Sequence, residues 1–189
     1  MIFGGLDLAS RVDNTALVVL KLENGVLEQI GMKVWPHVSY DVIADDLLKI
    51  QGKENMTKIG YDRSGVGDAV GALFDKSLPM VPIITTQQSK ISMIQLVKGL
   101  FQQKKLLIHS KQLYTEVMEQ QQNISDAGNI LYKHPSNRHD DSFWALNYAC
   151  NVASRYLGGS ARPSIASGRI NRGLDEMIDR DINKEMSNF

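Results

Sequence analysis

Asn24-Gly25 separates two apolar, β-branched-rich runs, Thr15 to Leu22 and Val26 to Trp35. A two-residue Asn-Gly connection between such runs specifies a tight β-hairpin, because both residues tolerate the positive φ that the turn requires. A third short apolar run, Ile2 to Ala9, precedes them. The first part of the chain is therefore expected to be a three-stranded antiparallel meander.

The period then changes. Val42, Ile43, Leu47 and Ile50 recur at helical spacing within Ser39 to Ile50. Lys58 to Asp62 and Met80 to Thr85 read as buried strands, and Pro82 places the second at an edge or bulge. Short helices are expected over Val66 to Phe74 and Gln112 to Gln121, and longer ones over Ser89 to Gln103 and Asp140 to Leu157. The last of these ends at Gly158-Gly159. Leu106 to His109 reads as a short strand, and Ile124 to Lys133 as a hairpin around Asp126-Ala127-Gly128-Asn129. A meander continued through helical crossovers implies an α/β fold with a mixed sheet of five or more strands flanked by helices, plus the extra hairpin. Residues 1–157 form the expected domain, and 158–189 an expected flexible tail with a short helix.

Composition narrows the function. With 43% hydrophobic and 22% charged residues the chain is globular rather than disordered. A single cysteine, Cys150, excludes an internal disulfide framework and a cysteine-based zinc site. No apolar run approaches the ~20 residues of a membrane span. The N-terminus lacks the basic segment of a secretory signal, so a reducing, soluble compartment is expected. The formal net charge is +0, so affinity for a polyanion would need local asymmetry. Residues 86–139 supply it, with 7 basic against 3 acidic side chains. Lys90, Lys104, Lys105, Lys133 and Arg138 belong to this surplus, which is either a set of solvated helix faces or a phosphate-contacting surface.

Several acidic residues sit where acids are costly. In strand alternation Asp7 shares a face with Phe3, Gly5 and Ala9, and the small neighbours leave room above the sheet. A carboxylate there needs a cation or hydrogen bonds. Asp62 ends its strand ahead of Arg63-Ser64-Gly65, a place where open sheets bind ligands and where an Asp also simply organises a turn. His139-Asp140-Asp141 opens the last helix. A helical wheel puts Asp140 with Asn147, Asn151 and Ser154 on the polar side, to cap the helix or face solvent. The same wheel points Asp141 toward the sheet. Asp13 lies in a turn and has either a supporting or an Asx-turn role, and His139 is a metal ligand, a proton carrier or an exposed residue. Carboxylates gathered on one face repel unless a cation sits among them. Hard oxygen donors select Mg²⁺ or Mn²⁺, and two such ions can hydrolyse a phosphodiester.

With these residues in hand, the chain resembles the nuclease domain of the large terminase subunit of tailed double-stranded DNA viruses, a ribonuclease H-like fold of the retroviral integrase superfamily. The resemblance spans about residues 1–157. It rests on GLDLASRVDNTALVV, IGYDRSGVGDAV and RHDDSFWALNYA, the last being the most specific. It implies that Asp7, Asp62 and one of Asp140 and Asp141 bind two Mg²⁺ or Mn²⁺ ions and cut concatemeric double-stranded DNA, with Asp141 taken as the catalytic one of the pair. It also implies a hairpin beside the active site and an ATPase motor as partner. The small terminase subunit and portal protein are further implied partners, and the host-cell cytoplasm is the implied location. No GxxxxGK[ST] occurs, so the chain is expected to be an excised or stand-alone nuclease that does not translocate DNA itself. A Holliday-junction resolvase or transposase core is the alternative with the same chemistry. GLDLAS is also similar to the first phosphate loop of sugar-kinase/actin-like proteins, which need a second lobe.

Overall fold

A computed structural model describes residues 1–8, 14–64, 74, 78–124, 130–133, 135 and 139–158. Strands β1 (Ile2–Asp7), β2 (Asn14–Glu23) and β3 (Val26–Pro36) form the meander, with antiparallel pairing throughout. Asn24 and Gly25 both take positive φ, 50° and 78°, as the tight turn demands. Helix α1 (Tyr40–Glu54) follows, then β4 (Lys58–Asp62), β5 (Met80–Ile83), α2 (Gln87–Gln102), β6 (Leu106–Leu107) and α3 (Lys111–Met118). The pair β7 (Gln121–Ile124) and β8 (Ile130–Lys133) precedes the last helix, α4 (Asp141–Ala153), and a 3₁₀ turn at Ser154–Tyr156.

Six strands form one mixed sheet in the order β5-β4-β1-β2-β3-β6. β4 pairs parallel to β1, β5 to β4 and β6 to β3. Pro82 lies on the edge strand β5, where a missing amide hydrogen is tolerated. β7 and β8 form a separate antiparallel pair, the expected hairpin, beginning three residues earlier than expected.

Strand alternation divides the core between the two faces of the sheet. Phe3, Ala16, Val18 and Leu20 pack with α2, α3 and α4 through Leu96, Leu100, Leu113, Ala145 and Leu146. Leu6, Leu17, Val19 and Ile59 pack on the other face with α1 through Ile43, Ala44 and Leu47. Each fully buried Leu or Phe contributes about 1.5–3 kcal/mol, so both faces are strongly specified.

Several boundaries differ from expectation. α1 continues past Ile50 to Glu54, where Asn55 at φ 49° stops it. The last helix is α-helical only to Ala153 and tightens to a 3₁₀ turn before Gly158. The room above Gly5 is not open: α4 itself fills it. The expected helix over Val66 to Phe74, the turn around Gly128 and all of the tail beyond Gly158 lie outside the described residues.

Candidate active site

The parallel pairing of β1 with β4 decides where the first two acids stand. The register runs through Leu6 opposite Tyr61, so Asp7 and Asp62 follow side by side at the carboxyl ends of neighbouring strands. Gly5 and Gly60, two positions earlier on each strand, share their face and let the α4 backbone lie directly on the sheet. That close approach brings Asp140 and Asp141, at the start of α4, to the same end of the sheet.

Asp7 feels the other three acids. Burial, and then the charges of Asp141, Asp140 and Asp62, push the Asp7 carboxyl well above the usual carboxylate range. Lys90, from the first turn of α2, acts in the opposite direction. Its ammonium lies 4.8 Å from the Trp144 ring centre, a cation–π contact that fixes it beside the acids.

Asp62 is held by two hydrogen bonds. The Ser64 amide donates to Oδ1 at 2.7 Å, and the Thr85 hydroxyl donates to Oδ2 at 2.5 Å. The phenol of Tyr148, in α4, faces the same group of acids, and the Asp62 charge is among those that act on it. Burial, followed by the charges of Asp7, Asp62 and Asp140, pushes the Tyr148 phenol far up, so it remains a donor. Asp62 therefore organises the turn, through Ser64, and also faces the acidic group.

Asp140 occupies the N-cap position but its side chain makes no capping hydrogen bond. Its Oδ2 instead accepts from the Trp144 indole Nε1 at 2.9 Å. The expectation that Asp140 caps the helix with its side chain is thus corrected: the indole one turn on holds the half-buried carboxylate, whose charge acts on Asp7. Asn147, expected on the polar side with it, is fully buried, and its Nδ2 donates to the Phe143 carbonyl at 2.8 Å. Asp141 is mostly buried, with Oδ2 3.7 Å from Nδ1 of the exposed His139.

The other candidate residues are placed as follows. Lys104 and Lys105 lie beyond the far end of α2, ~20 Å along the helix from Lys90. Lys133 ends β8, and its side chain, like Asp13 and Arg138 entirely, lies outside the described residues. Among the described residues, no three acidic, histidine or cysteine side chains close on a single point tightly enough to share one ion.

Sequence reasoning missed Thr85, Trp144 and Tyr148. Tyr148 carried a usable signal: it lies seven residues, two helical turns, after Asp141 and so on the same face. Trp144 is likewise four residues after Asp140. Thr85 carried none, because its contact depends on how β5 ends beside β4.

The profile of the family described as the terminase RNaseH-like domain matches residues 4–152. No curated protein sequence matches. Among solved structures, the large terminase nuclease from thermophilic phage G20c with bound magnesium superposes with a TM-score of 0.72 at 18% identity, over 80% of each chain. The large terminase nuclease domain of Thermus phage P74-26 gives 0.72 at 16% identity, over 87% of this chain and 84% of that one. The HK97 bacteriophage large terminase gives 0.62 at 19% identity, over 80% of this chain but 39% of its own.

Proposed function

The chain belongs to the terminase RNase H-like domain family, and on that premise we propose that it is a divalent-metal-dependent DNA endonuclease of viral DNA packaging. Its substrate is concatemeric double-stranded DNA, cut in the cytoplasm of the infected host cell. Its partners are a terminase ATPase domain or subunit, the small terminase subunit and the portal protein. The observation that carries the reading is the placing of Asp7 and Asp62 side by side at the carboxyl ends of β1 and β4, where burial and then the charges of Asp141, Asp140 and Asp62 raise the Asp7 carboxyl. Such a group of like charges is an electrostatic demand for cations.

The donor set fits the ions. Asp7, Asp62, Asp141 and Asp140 offer only hard carboxylate oxygens, the chemistry that Mg²⁺ and Mn²⁺ prefer. The G20c nuclease is known with bound magnesium and with bound cobalt, which supports divalent ions here. Two ions held by these residues would supply an activated water and stabilisation of the leaving oxygen of a phosphodiester.

The chain's own residues prepare the site. Ser64 and Thr85 hold one oxygen of Asp62 each, so its free lone pairs point in a set direction. Trp144 does the same for one oxygen of Asp140. Lys90, stacked on Trp144, is the cation placed to meet a phosphate arriving over the acids.

Plasmid nicking in Mn²⁺ or Mg²⁺ tests this. Asp7→Asn, Asp62→Asn and Asp141→Asn each reduce nicking to the level seen with EDTA while leaving the circular dichroism spectrum unchanged. Undiminished nicking by all three variants overturns the reading.

A further inference from the structure

We infer that Glu116, in α3, is a positioning residue that caps α4 in place of Asp140 and thereby holds the Asp140-Asp141 pair in the active site. This rests on the metal-nuclease reading for its consequence, though not for its geometry.

An Asp at an N-cap ordinarily accepts a hydrogen bond from the second or third amide of its own helix. In α4 those amides belong to Ser142 and Phe143. The Phe143 amide donates instead to Oε2 of Glu116 at 2.9 Å, across 27 residues of chain. Glu116 is only 6% exposed, although most glutamates lie at the surface. Its second oxygen is also committed, accepting from Gln112 Nε2 at 3.1 Å. A carboxylate removed from water at a helix N-terminus is stabilised by the first-turn amides and by the partial positive charge there.

The exchange has a consequence for the site. With the Phe143 amide satisfied from α3, the Asp140 carboxylate turns to Trp144 Nε1 and bears on Asp7. Without Glu116 the Phe143 amide becomes a buried donor in need of an acceptor, which is costly. The nearest remedy is ordinary N-capping by Asp140. That movement breaks the bond to Trp144 and withdraws one carboxylate from the group, and Asp141, the next residue, turns with it.

Two measurements on the same variants test this. The first needs no metal: the indole N–H signals of Trp144 and Trp35 in a ¹⁵N-correlated NMR spectrum. In Glu116→Ala the Trp144 signal shifts to that of an indole lacking a carboxylate acceptor. The Trp35 signal, whose indole donates to Asp46, stays in place. The second is the Mn²⁺ dissociation constant, read by electron paramagnetic resonance of the free ion. It rises tenfold or more in Glu116→Ala, the scale of losses when a ligand's supporting shell is removed. In Glu116→Gln, whose amide oxygen accepts the same bond, it stays well short of that ~10-fold rise. If Glu116→Ala does not fold, Glu116→Asp, one methylene too short to reach the amide, replaces it with the same expected changes.

An unshifted Trp144 signal with unchanged Mn²⁺ affinity in the folded variant overturns the inference. So does Glu116→Gln behaving like Glu116→Ala, because the role would then belong to the charge and not to the cap. Asp7→Asn, Asp62→Asn and Asp141→Asn separate the two readings. If all three bind Mn²⁺ like wild type, the metal reading fails. A Trp144 shift in Glu116→Ala would still establish the cap.

Discussion

Gly5 and Gly60 are register partners on neighbouring parallel strands, and the backbone of α4 rests on both. A Cβ at Gly5 would stand 1.9 Å from the Ala145 carbonyl oxygen and 2.4 Å from the Ala149 nitrogen. A Cβ at Gly60 would stand 2.8 Å from the Tyr148 carbonyl oxygen. Asp7 and Asp62 lie two residues beyond these glycines, so the contact that seats the helix also brings its first-turn acids to theirs.

Gly5→Ala should therefore cost at least the ~1–3 kcal/mol of an overpacked core, because the obstruction is backbone and cannot rotate away. At ~2–4 °C per kcal/mol for a domain of this size, the midpoint of thermal unfolding falls measurably. Gly52→Ala is the control. It lies in α1 with nothing within 4 Å of the new Cβ. It should stabilise by up to ~1 kcal/mol through helix propensity. Equal midpoints for the two variants would contradict the close seating of α4.

Lys90→Ala should separate metal binding from DNA binding. Removing the cation that opposes the acidic group leaves Mn²⁺ affinity the same or tighter. DNA affinity should fall, and the slope of its logarithm against the logarithm of salt should lose about one unit. Loss of Mn²⁺ affinity in this variant would show that Lys90 acts otherwise.

Two aspartates should show opposite pH linkage. The Asp7 carboxyl is raised by burial and by its acidic neighbours, so it binds a proton more tightly folded than unfolded. Its contribution favours the fold in acid and is lost as pH rises through the raised value. Without divalent ions, Asp7→Asn should unfold at a higher temperature than wild type at neutral pH, and the gap should close in acid. Asp46 is lowered by its bonds to Lys33 and Trp35. Its contribution is present at neutral pH and is lost as pH falls through the depressed value. Asp46→Asn should be less stable than wild type at neutral pH and approach it in strong acid. Thermal unfolding with EDTA at both pH values reads both signs.

Thr85→Val removes the hydroxyl that donates to Asp62 Oδ2 while keeping the volume. Mn²⁺ affinity should fall ~10-fold. Thr85→Ser, which keeps the donor, should restore it. Equal affinity in Thr85→Val and wild type would remove Thr85 from the site.

Much of this arrangement was legible in the chain. The Asn24-Gly25 turn and the switch to helical period gave the meander and the mixed sheet, because turn chemistry and apolar spacing are local. Asp7 and Asp62 stood out as acids at strand positions where burial penalises charge. The support that comes from other elements was not legible. Thr85 reaches Asp62 only because β5 pairs with β4, and Glu116 reaches Phe143 only because α3 packs beside α4. The wheel misjudged Asp140 and Asn147 because it treats a helix as having one buried side. The faces of α4 that carry Ser142, Asn147 and Cys150 are all buried.

A Mn²⁺ soak of crystals, followed by an anomalous difference map, reads the cation site itself. Anomalous peaks are expected among Asp7, Asp62, Asp140 and Asp141. A clean map at that position, with the crystals in millimolar Mn²⁺, would contradict that expectation.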